Sequence, residues 1–108
     1  MLPKPNRVVH AADFRRIVRT GRRISSPVAV LHVTEAEAAT SRFGFVVSKK
    51  VGNAVVRNRV RRRMSEHVRQ HILPIDPPVD VVVRALPAAG TADCGTLTAA
   101  FEPLLRSR

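Results

Sequence analysis

The sequence predicts an α/β fold, a sheet with helices packed on it. Two observations point there. Three runs rich in β-branched residues, VAVLHV (28–33), RFGFVVS (42–48) and VDVVVRA (79–85), read as strands. The segments around them repeat their apolar residues at helical spacing. With a short strand at 22–25 the order becomes α-β-β-β-α-β-α, and elements alternating in this way bury their apolar faces by layering helices on one sheet.

Each element has local grounds. Residues 1–10 are basic, carry Pro3 and Pro5, and read as an extended segment. Asp13, or a residue just before it, caps a short helix over 12–19 whose apolar stripe is Phe14, Ile17 and Val18. Gly21 ends that helix. Residues 34–41 read as a loop joining two antiparallel strands. Gly52 permits a tight passage from strand to helix, and Asn53 caps the helix that begins there. From Ala54 the period is helical: Val56, Val60, Met64, Val68 and Ile72 recur every four residues until Pro74 stops the helix. The VVV run within 79–85 implies a strand buried on both faces. Pro87 to Gly90 make a turn. Residues 91–105 read as a last helix, with Leu97, Ala100, Phe101, Leu104 and Leu105 facing inward and Pro103 awkward inside it. A chain of 108 residues is expected to form a single domain over 1–108.

What that domain binds is read from charge. The formal net charge is +11, and it is uneven. Residues 1–23 carry net +6, from seven Lys or Arg against Asp13, and residues 48–70 carry net +7, from eight against Glu66. Two basic regions on a nearly neutral scaffold need a polyanionic partner, and RNA fits best. There is no tryptophan or tyrosine and only four phenylalanines, so base stacking rests on few rings. Cys94 is the only cysteine, which rules out an internal disulfide and a thiolate metal cluster. The N-terminus has no apolar run after its charges, and no stretch approaches a membrane span. The expectation is a cytoplasmic protein with no membrane partner.

The stretch SKKVGNAVVRNRVRRR (48–63) holds seven basic side chains and no acid. On a helix, Arg57, Asn58, Arg59, Arg61, Arg62 and Arg63 cover most of the girth that Val56, Val60 and Met64 leave free. Like charges so close repel one another, and an RNA backbone relieves that repulsion while its counterions are released. Arginine in preference to lysine fits bidentate phosphate contacts.

These residues also carry a resemblance. KKVGNAVVRNRVRRRMSE (49–66) is similar to the signature segment of the bacterial ribonuclease P protein component family, with its RNR core at Arg57, Asn58 and Arg59. NRVVHAADFRRIVRTGRR (6–23) resembles the family opening, an Asn-Arg pair, a helix with a central Phe and a Gly-Arg exit. The resemblance covers residues 6 to 86, and the last helix agrees in position. It implies a two-layer α/β sandwich, a four-stranded sheet and a left-handed β-α-β crossover, where general rules favour a right-handed one. It also implies a function: protein subunit of ribonuclease P, a non-catalytic partner of a large catalytic RNA that removes the 5′ leader of precursor tRNA. The RNA would supply the chemistry with divalent cations (Mg2+), with no metal site in the protein alone and no obligate protein partner.

Residue roles come from the same resemblance. Lys49, Lys50, Arg57, Arg59, Arg61, Arg62 and Arg63 are the candidates for contact with the catalytic RNA, and Asn58 either touches RNA or orients a neighbouring arginine. A cleft between the first helix and the sheet would hold the leader, with Arg7, Phe14, Arg15, Val18, Arg22 and His32 as candidates. Phe14 either stacks on a base or anchors the helix in the core. Val18 and His32 stand where the family often carries aromatic residues, and both depart from it. Asn6, Arg16, Arg19 and Arg23 add polarity and charge nearby. Phe43, Phe45 and Phe101 read as core, and Ser48 bonds either a phosphate or its own backbone. The acids form no two-metal pattern, and His67 and His71, four apart on a helix, lack partner ligands. Cys94 reads as an inert, part-buried residue. The alternative function is a general basic RNA-binding or ribosomal protein with no part in tRNA processing.

Overall fold

The computed structural model describes residues 2–106, the side chain of Arg106 excepted; Met1, Ser107 and Arg108, which the expected domain 1–108 includes, lie outside the described residues. A short 3-10 turn, Lys4–Asn6, precedes helix α1 (Ala11–Thr20) and strands β1 (Arg22–Ser25), β2 (Ala29–Glu35) and β3 (Arg42–Val46). Helix α2 (Ala54–His67) continues as a π-helical stretch, Val68–Ile72, and leads to β4 (Val79–Ala85). A 3-10 turn, Pro87–Gly90, then precedes two short helices, α3 (Cys94–Ala99) and α4 (Glu102–Arg106).

The four strands form one mixed sheet in the order β1-β2-β4-β3. β4 lies antiparallel to β2 and parallel to β3, so β3-α2-β4 is a crossover unit. β2 and β3 are therefore not neighbours: β4 is inserted between them, which explains its VVV run. Val81 and Val83 enter the main core, while Val82 packs on the other face with Val8 and Ile17. The main core is the layer between the sheet and α2, α3 and α4, where Leu31, Val33 and Phe43 meet Val60, Met64, Val68 and Phe101. This is the two-layer α/β arrangement, with α1 lying across the sheet's second face.

Three local expectations are corrected. Asp13 does not cap α1, which starts at Ala11 with His10 at the cap position and no side-chain cap bond. Residues 91–105 are not one helix. Pro103 has no N–H to continue the α3 ladder, and it sits instead near the start of α4, where that hydrogen is not needed. The break turns Leu105 outward to 50% exposure, while Leu97, Ala100, Phe101 and Leu104 stay buried. The spacing of four along α2 holds, but an α-helix drifts by about 40° at each such step. The wider π stretch, closed by Leu73 N–H donating to Val68 O at 2.9 Å, winds less per residue and returns Ile72 to the core at 3% exposure.

A buried ion-pair cluster locks α1 to the sheet. The carboxylate of Asp80 on β4 is fully buried. Arg42 on β3 binds it through Nε at 3.1 Å and Nη2 at 2.9 Å, and Arg16 on α1 binds it at 2.9 Å. Asp13 and Glu37 complete the cluster, the former 3.4 Å from Arg42 and the latter 3.3 Å from Arg16. Burial alone would raise the Asp80 carboxyl, but the hydrogen bonds from Arg42 and Arg16 outweigh it and hold the group below the ordinary carboxylate range. Arg16, grouped with the cleft charges on sequence, is thereby engaged within the fold.

Asp80→Asn is expected to destabilise the protein by roughly 3 kcal/mol at neutral pH, measured by urea unfolding, because two half-buried cations lose their buried partner. The folded pKa of Asp80 lies below its ordinary 3.8, so the stabilisation is complete above that value and is lost as pH falls through the folded pKa. The stability gap between wild type and variant should therefore narrow in acid. A gap independent of pH would remove Asp80 from this role.

Candidate nucleic-acid interface

The basic helix begins from a fixed turn. Asn53 Oδ1 accepts the Val56 N–H at 3.0 Å, the expected cap. A Cβ on Gly52 would lie 2.8 Å from the Val56 side chain, so only glycine lets the chain pass there. Val51 N–H closes the preceding turn on Ser48 O at 3.1 Å, and Ser48 Oγ accepts the Lys50 N–H at 3.3 Å. The Ser48 hydroxyl thus bonds its own backbone, and Lys49 and Lys50 project from this turn, both exposed.

The arginines beyond the turn have distinct surroundings. Arg57 is half-buried and reaches back to Gly52 O at 3.4 Å. Asn58 is exposed, and its Oδ1 accepts from Arg61 Nη1 at 3.1 Å, so it orients a neighbouring arginine. Arg59 turns inward and donates from Nη2 to Gly90 O at 3.0 Å. Arg62 is exposed on the crest of the helix, and Arg63 is half-buried on the flank shared with His67, Gln70 and His71. Among the described residues, none of Arg57, Arg59, Arg61, Arg62 and Arg63 is ion-paired with a carboxylate. Glu66, the one acid of this helix, pairs with Arg69 at 2.8 Å, and that contact is the largest cause of its carboxyl lying down at about 2.

At the β3 edge α2 faces a groove of about 660 Å³. Its floor includes Leu2, Val8, Phe14 and Phe43, and its rim carries Arg7, Asn58, Arg61 and Arg62. The N-terminal segment closes one side, with Val8 N–H bonded to Phe43 O at 3.1 Å and Asn6 Nδ2 to Ser41 O at 2.8 Å. Arg7 Nε donates to Leu2 O at 2.7 Å, which fixes the guanidinium along the rim. Phe14 is half-buried, and a Cβ on Gly44 would come within 2.6 Å of its ring. The ring therefore lies directly on the β3 backbone, part anchor and part groove wall. An apolar floor below a rim that carries Arg7, Arg61 and Arg62 beside Glu66 suits a strand of nucleic acid, whose bases are flat and apolar-faced and whose phosphates are anionic.

The leader candidates separate on the sheet's second face. Strand register sets Arg23, His32, Val82 and Gly44 in one row and Ser25, Val30, Arg84 and Val46 in the next. α1 covers the first row through Phe14 and Ile17. Arg15 and Arg22 are exposed, and Val18 is 38% exposed at the edge of α1. His32, a leader candidate on sequence, is only 3% exposed, with both ring nitrogens buried and without a hydrogen-bond partner. Burial first, then Arg84 and Arg23, lowers its pKa, so the ring is held neutral and offers no open stacking face. The neighbouring row supplies what sequence reading missed, exposed Arg84 and Val46. Arg84 alternates onto this face with Asp80 and Val82, a period-two signal that becomes legible only once the strand's neighbours are known.

Other candidates fall into ordinary places. The rings of His67 and His71 lie 5.1 Å apart, and His67 packs on Phe101 at 5.8 Å. Among the described residues no group of three or more His, Cys, Asp or Glu side chains is placed to hold a metal ion. Cys94 is exposed, not part-buried, because it opens α3 just after the Asp93 cap.

Comparison with known proteins bears on this geometry. The Ribonuclease P family model matches residues 2–107. The ribonuclease P protein component of Streptomyces avermitilis is 42% identical over 98% of this chain and 94% of its own length. That of Clavibacter michiganensis is 46% identical over 81% of this chain and 78% of its own. The ribonuclease P protein of Staphylococcus aureus superposes with a TM-score of 0.83 at 30% identity, covering 94% of each chain. That of Thermotoga maritima gives 0.80 at 25% identity, covering 94% of this chain and 96% of its own. The expected cytoplasmic location is withdrawn: the matched relatives share a family of bacterial proteins, which assigns no compartment. The open arginine helix, its groove and these whole-length matches agree: the chain belongs to the ribonuclease P protein component family.

Proposed function

We propose that the chain acts within ribonuclease P by holding two RNAs. The α2 arginines and the Lys49–Lys50 turn lie against the catalytic RNA, and the Phe14 side of the molecule receives the single-stranded 5′ leader of precursor tRNA. The catalytic RNA carries out the cleavage with divalent metal ions such as magnesium, and the protein alone has no turnover. The observation that carries this reading is the set of α2 arginines that no carboxylate among the described residues pairs with, two of which, Arg61 and Arg62, line an apolar groove that contains Phe14. Binding then gains from counterion release at α2 and from ring contact at Phe14. By lowering the phosphate repulsion between leader and catalytic RNA, the protein would let the complex form at lower magnesium.

Cleavage of precursor tRNA at low magnesium tests the whole reading. Catalytic RNA with protein is expected to cleave, and either component alone to fail; cleavage by the protein alone, or no gain on combining the two, would reject it. Phe14→Ala tests the leader contact. It is expected to weaken binding of precursor tRNA to the holoenzyme about 10-fold, from a stacking contribution of ~1–3 kcal/mol, and to leave mature tRNA unaffected. Equal losses on both RNAs would assign Phe14 to folding.

A further inference from the structure

The two arginines of the RNR segment have different surroundings. Arg57 stays on the α2 start, whereas Arg59 points into the protein. Its Nη2 donates to Gly90 O at 3.0 Å, across 31 residues of chain, and its Nε is buried. Gly90 is itself buried in the turn after β4, and a Cβ there would run into the carbonyl oxygen of Val51. Val51 is 6% exposed and ends the turn that presents Lys49 and Lys50. A chain of contacts therefore leads from Arg59 through Gly90 to the lysine turn.

We infer that Arg59 is a positioning residue: it ties α2 to the Pro87–Gly90 turn and so fixes the Lys49–Lys50 turn beside the groove-lining Arg61 and Arg62, without touching RNA itself. This rests on the reading of α2 as an RNA interface and divides the labour within it. Arginine suits the task because its long fork reaches a carbonyl a full helix radius away while its stem fills the gap between helix and turn. The charge is retained near the interface, but the contact it makes is internal.

The test combines stability with a mutant cycle on the full chain and the catalytic RNA. Arg59→Ala is expected to lower Tm by about 5 °C, and Arg59→Lys, which keeps a donor, to recover part of that loss. No recovery with lysine would overturn the anchor. In a Lys49→Ala, Lys50→Ala background, adding Arg59→Ala is expected to change RNA affinity by less than about 2-fold and to leave its salt dependence unchanged. Arg62→Ala in the same background should cut the affinity ratio between ~50 and ~200 mM salt by roughly 3-fold. If Arg59→Ala does the same, Arg59 touches phosphate and the inference fails. If Arg62→Ala and the lysine pair leave binding unchanged, the α2 interface reading fails instead, and the Tm arm alone decides whether Arg59 is the anchor.

Discussion

Asp80 lies on the central strand with its side chain fully buried, and two arginines from different elements converge on it. A carboxylate in that position is tolerable only when the cations and their hydrogen bonds replace the water it has lost. Arg42 comes from the neighbouring strand and Arg16 from α1, so the same contacts that satisfy the charge also seat the helix on the sheet. Asp13 and Glu37 are drawn into the same cluster. The consequence reaches across the molecule. Three of its few acids are gathered on one face, Asp93 is engaged as a helix cap, and Glu66 is held by Arg69. The arginines of α2 from 57 to 63 are left with no acid partner among the described residues.

That segregation gives α2 its character. A helix with five arginines between 57 and 63 would be expected to lose stability through self-repulsion. The protein offsets this from the buried side, where Val60, Met64, Val68 and Ile72 enter the core with 3% exposure or less. Asn53 secures the first turn, and Gly52 and Gly90 allow the close approaches that hold it. The helix is rigid because of its apolar stripe and open because its one acid, Glu66, is taken by Arg69. The groove along its flank then joins two regions that the sequence presents 40 or more residues apart, since Phe14 and Arg7 share its lining with Asn58, Arg61 and Arg62.

Much of this was legible in the sequence, and the reasons differ by residue. The strands were readable because β-branched runs with turn residues at their ends have few other uses, and the α2 stripe because apolar residues at a spacing of four drift only slowly around a helix. The charge asymmetry was visible by counting. What stayed hidden depended on neighbours distant in the chain. Asp13 has the residue type of a cap, but Arg42 and Arg16 offered it stronger partners. His32 looked like an accessible ring on a strand, yet α1 folds over that row. Arg59 was indistinguishable from Arg61 and Arg62 until Gly90 was found beside it. The break at Ala100 was signalled by Pro103, whose preference for a helix start outweighed the apolar spacing of 97–105. The two-layer sandwich came from the resemblance, since local patterns give strands and helices without their order in a sheet.

The central claim is that the α2 arginines are open in the free protein and covered by RNA in the complex. Phenylglyoxal modification, mapped by mass spectrometry with and without the catalytic RNA, measures this directly. Arg61 and Arg62 are expected to react in the free protein and to lose that reactivity in the complex, while Arg42, held by Asp80, stays unreactive in both. Equal labelling of Arg61 and Arg62 whether or not the RNA is bound would contradict the account.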